Sequence, residues 1–284
     1  MPPRRPLIPP CQTFPVDVSN LYGHTRHQGF VLGQSRKRAL LLHGFPGTPA
    51  EVLPLAEFLL SKGYEVHGPL HPGLGMGIET LGKMRWQAWV EAAKTNWAKL
   101  QDGAEASILI GFSMGGAVAL NVAHAVKPEQ LVMIAPFWRL NHPLGRIVPL
   151  AQHVVPQLKP FKNADFTTSV IRDQFIRLEP TLDLNDPVVQ RELRDRVVLP
   201  TSALAELQRL GQHAYRVAPH VTTPTLVVQG RQDTTVAPTD TRRLALRLGG
   251  PVTLVELDGA DHQLIEPSSQ GYKELLARLE AELP

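Results

Sequence analysis

The chain has 284 residues, 43% of them hydrophobic and 19% charged, with a net charge of +3. That length and apolar fraction can bury a large core and carry no signature of disorder, while basic residues spread along the chain without forming a stripe argue against nucleic-acid binding. The single cysteine, Cys11, excludes an intramolecular disulfide and a thiolate metal cluster, and it suits a reducing cytoplasm, the expected location.

The first residues, Met1-Pro2-Pro3-Arg4-Arg5-Pro6, are basic, but prolines interrupt the next residues and no long apolar stretch appears. Neither a signal peptide nor a membrane span is expected. Residues 14–32 are expected to add antiparallel edge strands. Short apolar runs near 39–43, 64–68, 106–111, 130–135, 224–229 and 252–257 then alternate with helical patterns near 50–62, 85–101, 114–126, 239–248 and 268–281. This alternation predicts an α/β fold: a mostly parallel sheet with helices on both faces. Trp86 and Trp89, three apart on one helix, share a face that reads as core.

The alternation fails between 137 and 220. A long excursion within a compact domain is usually functional. It opens with Phe137, Trp138, Pro143, Pro149, Pro156, Pro160 and Phe161, and continues with helical patterns at 167–179, 187–197 and 201–216. The expected organisation is a core of residues 1–136 and 221–284 with an inserted cap over 137–220, in which Ile147, Val148, Leu150, Val154 and Val155 are candidates for an apolar wall.

The strongest chemical signal is Gly111-Phe112-Ser113-Met114-Gly115, set between the apolar run Ile108-Leu109-Ile110 and the helical start Gly116-Ala117-Val118-Ala119-Leu120. A serine on a sharp strand-to-helix turn, with glycines two residues to either side, is the pattern of a nucleophile elbow. Downstream, the strand Thr225-Leu226-Val227-Val228-Gln229-Gly230 runs into Arg231-Gln232-Asp233, and the next strand ends in Asp258-Gly259-Ala260-Asp261-His262. Reactive groups collect at the carboxyl ends of parallel strands, so the three can meet there. Ser113 is then the nucleophile, His262 the base and Asp233 the acid that orients it. Asp261, adjoining His262, reads as a cap on a turn or on the following helix, and Asp240 lies inside a predicted helix.

With these residues in place, the chain resembles the α/β-hydrolase superfamily, and within it the bacterial carboxylesterases and monoacylglycerol lipases. The resemblance is carried by His43-Gly44-Phe45-Pro46-Gly47, Gly111-Phe112-Ser113-Met114-Gly115-Gly116, Gly230-Arg231-Gln232-Asp233 with Val236 and Pro238, and Asp261-His262, together with His71-Pro72-Gly73-Leu74-Gly75 and Trp86-Gln87-Ala88-Trp89. It implies an oxyanion hole made of the backbone N–H groups of Phe45 and Met114, whose side chains would border the substrate. Pro46 has no N–H to offer. His43 precedes the serine and reads as a support for the oxyanion loop. Relatives often carry Gly-His-Gly where this chain has Pro72-Gly73-Leu74-Gly75, so a role of that loop histidine does not simply pass to His71.

The implied activity is cleavage of short- to medium-chain carboxylic esters, monoacylglycerols included, through an acyl-enzyme on Ser113 and with neither metal nor organic cofactor. The expected partner is a small-molecule ester, with no nucleic acid and no stable membrane insertion; the sequence assigns no oligomeric state. Carbon–carbon bond hydrolysis and perhydrolysis belong to the same superfamily and are the alternatives, whereas a serine excludes the aspartate-dependent haloalkane dehalogenases and epoxide hydrolases. A ligand receptor that retains the fold without turnover is the alternative of another class.

Overall fold

The computed structural model describes residues 22–140, 154–168, 172, 175 and 182–283. Its strands, in chain order, are β1 (Phe30–Leu32), β2 (Lys37–Leu42), β3 (Glu65–Gly68), β4 (Ala106–Phe112), β5 (Gln130–Ile134), β6 (Gln157–Leu158), β7 (Leu199–Pro200), β8 (Thr225–Gly230) and β9 (Val252–Leu257). Seven of them form one sheet in the order β1-β3-β2-β4-β5-β8-β9. Only β1 runs antiparallel, against β3; the remaining pairs are parallel. The expected edge strand is therefore present at Phe30–Leu32; of the rest of its predicted span, residues 14–21 lie outside the described residues, and residues 22–29 hold a short 3-10 helix at Thr25–His27 and no strand.

The helices are α1 (Leu53–Ser61), α2 (Trp86–Gln101), α3 (Met114–Val126), α4 (Pro187–Arg196), α5 (Thr201–Val217), α6 (Pro238–Ala245) and α7 (Tyr272–Ala281). Side chains alternate across a strand, so each central strand feeds two cores. On one face Leu40, Leu42 and Leu109 pack with Trp89, Leu120 and Leu210; on the other Leu41, Ile108 and Ile110 pack with Leu55, Leu59, Leu275 and Leu279. β4 is buried from Ser107 to Phe112, as a central parallel strand covered on both faces must be. Trp89 is wholly buried and donates its indole N–H to the Pro72 carbonyl at 2.9 Å, while Trp86 is half-buried against the His213 ring at 4.6 Å.

Contacts divide the molecule into a larger unit, His24–Leu158 with Leu199–Pro284, and a smaller one that includes Lys159–Val198. The excursion expected over 137–220 is thus shared between them. α5 belongs with the sheet: Leu207, Leu210 and Ala214 join the core of α3, and the His213 Nδ1–H donates to Asn121 Oδ1 of α3 at 2.5 Å. The segment that leaves β5 is also tied to the larger unit. Trp138 stacks on Tyr215 at 4.1 Å and donates to the Asp240 carbonyl, and Arg139 grips the buried Asp240 carboxylate with two nitrogens. That paired hydrogen bond holds the Arg139 guanidinium above its ordinary value. β6 and β7 pair antiparallel within the larger unit.

The smaller unit has its own core of Phe161, Phe166, Phe175, Leu182, Leu184, Val189 and Leu193. Asp186 caps α4 by accepting the Val188 N–H at 2.7 Å. Of the predicted apolar wall, Ile147, Val148 and Leu150 fall outside the described residues, as does most of the helix expected at 167–179; Val154 and Val155 are exposed.

Candidate active site

β4 ends at Phe112 and α3 begins at Met114, so Ser113 alone makes the turn between them. Ser113 adopts φ 53° and ψ −116°, a conformation that strains a residue with a Cβ by about 1–3 kcal/mol. The turn is held from both sides: Ser113 N–H donates to Ile134 O at 2.9 Å, and Ser113 O accepts from Gly116 N–H at 3.0 Å and Phe137 N–H at 3.1 Å. The flanking glycines are required by close approach. A Cβ on Gly111 would meet the Gly115 carbonyl oxygen at 2.2 Å, and one on Gly115 would meet the Leu42 carbonyl oxygen at 2.1 Å. Backbone therefore crosses backbone where side chains would stand, which is why glycine occupies both positions.

β4, β8 and β9 run parallel, so the residues after their C-terminal ends share one edge of the sheet. There Ser113, Asp233 and His262 meet. His262 Nε2 lies 3.1 Å from Ser113 Oγ, and His262 Nδ1 lies 2.8 Å from Asp233 Oδ2. Since a carboxylate only accepts, Nδ1 carries the proton and Nε2 is left to accept from the serine hydroxyl. The Asp233 side chain is fully buried, and its other oxygen accepts the Thr235 and Val236 N–H groups, each at 2.8 Å. Such charge-assisted bonds contribute about 1.5–3 kcal/mol apiece and fix the carboxylate in place. The Phe112 ring, 5.2 Å from the imidazole, covers His262.

The loop after β2 completes the edge. His43 is fully buried; its Nδ1–H donates to the Gly44 carbonyl at 2.9 Å and its Nε2 accepts the His71 N–H at 3.1 Å. These partners define one neutral tautomer. Burial, followed by the neighbouring His71, holds the His43 imidazole well below its ordinary value. Burial likewise pushes His71 down to about 4. Phe45, joined to Pro46 by a cis peptide bond, sets its ring edge-on to Trp89 at 6.2 Å.

The likeness to known proteins extends over most of this architecture. Residues 33–268 match the model of the family described as serine aminopeptidase, S33. The chain belongs to that family. It is 25% identical over 206 residues to a carboxylesterase of Bacillus subtilis (strain 168), spanning 72% of this chain and 75% of that one. It is also 25% identical over 245 residues to a thermostable monoacylglycerol lipase of Bacillus sp. (strain H-257), spanning 82% and 89%. Among solved structures it is similar to one from the pair LipS and LipT, two metagenome-derived lipolytic enzymes, with a TM-score of 0.73 at 21% identity, covering 91% of this chain and 98% of that one. The sheet and its helices are those of the α/β-hydrolase fold that the sequence implied.

Of the residues expected from the sequence, this S33 chain brings Ser113, Asp233 and His262 into hydrogen-bonding contact, and seats Asp261 elsewhere: its carboxylate accepts the Gln263 N–H at 2.9 Å, as a turn cap does. Asp240 serves Arg139. Met114 is the first residue of α3. It is wholly buried beside the elbow, within the core that also holds Val118 and Leu207. Phe45 is half-buried. Two polar neighbours were not singled out in the sequence. Gln229, inside β8, binds the acid, and Glu51 binds the loop of Gly44. Neither had a sequence signal: one sits in an apolar strand, the other in the first turn of a helical pattern.

Among the described residues no group of three His, Cys, Asp or Glu could hold a metal ion, and no helix is long and apolar enough to cross a membrane.

Proposed function

We propose that this S33-family hydrolase cleaves carboxylic esters by acyl transfer to Ser113. The observation that carries the reading is the Ser113–His262–Asp233 chain of contacts at 3.1 and 2.8 Å, on a buried carboxylate and a strained elbow. Ser113 Oγ attacks the carbonyl carbon while His262 Nε2 takes its proton. Asp233 holds the tautomer and stabilises the imidazolium. The oxyanion is received by the N–H groups of Phe45 and Met114, the latter at the positive end of α3. His262 then protonates the leaving alcohol, and a water that it deprotonates releases the acid. Hydrolysis of esters, rather than of amides, rests on the two relatives, a carboxylesterase and a monoacylglycerol lipase.

Acyl-chain preference is proposed to lie in the 137–220 excursion, because the triad and oxyanion donors contact only the reacting carbonyl and cannot measure chain length. An apolar wall adds about 0.8 kcal/mol for each methylene it buries.

The test is turnover of p-nitrophenyl esters from acetate to palmitate, beside monoacylglycerols, an aminoacyl p-nitroanilide and an aryl diketone, with native enzyme and Ser113→Ala. Ester turnover that falls by about 10⁶ in the variant supports the reading. A folded Ser113→Ala enzyme that keeps a tenth of native activity contradicts it, and preference for the anilide or the diketone reassigns the reaction.

A further inference from the structure

We propose that Glu51 is a positioning residue for the oxyanion hole, acting through the backbone of the Gly44–Gly47 loop. This rests on acyl transfer to Ser113, in which the Phe45 N–H receives the oxyanion.

Three observations on different atoms converge. First, Glu51 Oε2 accepts the Gly44 N–H at 3.1 Å. The His43–Gly44 peptide is thereby anchored, and the next peptide, whose N–H is that of Phe45, is held by the His43 Nδ1–H on the Gly44 carbonyl at 2.9 Å. Second, the carboxylate occupies the place of a side chain at Gly47: a Cβ there would lie 2.1 Å from Glu51 Cδ and 2.1 Å from Oε1. Gly47 has no positive φ, and the nearest atoms a Cβ would meet there all belong to the Glu51 carboxylate, so a side chain at Gly47 would push that carboxylate from its place. Third, a Cβ on Gly44 would touch Glu51 Oε2 at 3.2 Å and the Phe112 ring at 3.3 Å, and that same ring packs on His262 at 5.2 Å. Carboxylate, loop, ring and imidazole are consecutive layers. Movement of the loop away from Glu51 displaces the Phe45 N–H, and a misplacement of about 1 Å in a reacting geometry lowers the rate roughly 10²-fold.

The role is geometric, so the acceptor oxygen matters more than the charge. Glu51→Gln keeps an oxygen in reach of the Gly44 N–H; Glu51→Ala keeps none. Glu51→Ala is expected to lower kcat about 10- to 100-fold with KM changed less than threefold, and Glu51→Gln to stay within threefold of native. Inhibition by an alkyl trifluoromethyl ketone, whose serine adduct places an oxyanion in the hole, should weaken in Glu51→Ala by the same factor as kcat/KM. Gly47→Ala should lower kcat in the native background and do much less harm on top of Glu51→Ala, where the obstructing carboxylate is gone.

Sites are counted by a fluorophosphonate that labels the reactive serine to completion, which separates lost rate from lost folded enzyme. The inference is overturned if Glu51→Ala retains kcat within twofold per labelled serine, if KM takes the loss, or if Glu51→Gln is as damaged as Glu51→Ala. Where Glu51→Ala is not recovered folded, Gly47→Ala decides: an unchanged kcat refutes the proposal. Should Ser113→Ala retain turnover, the failure lies with the acyl-enzyme reading instead.

Discussion

Gln229 Nε2 donates to Asp233 Oδ2 at 2.9 Å, the same oxygen that accepts His262 Nδ1–H at 2.8 Å. Gln229 is fully buried; its amide nitrogen also reaches the Gly230 and Val236 carbonyls, and its oxygen accepts the Thr241 hydroxyl at 2.5 Å. An uncharged donor thus orients the acid from behind without competing for the imidazole. Replacing it by Met keeps the volume and removes the donor. A hydrogen bond to a charged group contributes about 1.5–3 kcal/mol, so kcat/KM for an ester should fall roughly 10- to 100-fold in Gln229→Met. An unchanged kcat/KM in a folded variant would show that Asp233 needs no such support.

Asp233→Asn keeps the shape but supplies an amide where an acceptor is needed, and favours the wrong imidazole tautomer. A loss of about 10⁴ in kcat is expected. Asp261→Asn alters a carboxylate that accepts the Gln263 N–H, and it should cost less than tenfold in kcat. Comparing the two variants on one p-nitrophenyl ester decides the assignment, and the reverse order would move the acid to Asp261.

The histidine loop depends on a glycine in β8. A Cβ on Gly230 would meet the Asp261 carbonyl oxygen at 2.4 Å and that of Ala260 at 2.5 Å, both backbone atoms that cannot swing aside. Gly230→Ala must push the loop, and His262 with it, away from Ser113. The expected result is a fall of about 10²-fold in kcat with KM little affected. Native kcat in this variant would mean that the loop shifts without carrying the imidazole along.

The features legible in the sequence are those that depend on neighbours along the chain. Ser113, Asp233 and His262 each come after an apolar strand, and parallel strands deliver the residues beyond their C-terminal ends to one edge, so order and spacing were enough. The hidden features depend on residues far apart in the chain. The pattern of α5 marked a helix at the right place but not its partners, because an amphipathic stripe says that a face is buried and not against what; at Gly211, whose Cβ would strike the Trp138 carbonyl oxygen at 2.3 Å, it meets the segment that leaves β5. Gln229 and Glu51 were invisible for the same reason, as was the burial of Met114, which arises from the core that gathers over α3 and not from its place beside the serine.

His71 provides the pH test. Its ring is buried, its Nε2 has no hydrogen-bond partner among the described residues, and it lies 4.5 Å from the ring of His43. Burial lowers its folded-state value from 6.5 to about 4. The unfolded chain therefore takes up a proton near 6.5 while the folded chain does not, so the stabilising contribution is whole above that pH and is lost as pH falls toward about 4, where the folded state is protonated too. Over that window the loss is on the order of 3 kcal/mol, at about 1.4 kcal/mol per pH unit. His43, also held low by burial, adds a loss of the same sign. His71→Leu removes one of the two groups and the unpartnered nitrogen while keeping the backbone N–H that His43 accepts. Urea unfolding between pH 6.5 and 5 should accordingly show a weaker loss of stability on acidification in His71→Leu than in the native protein, by about one proton's slope. Equal slopes would mean that His71 is already protonated in the folded state over this range.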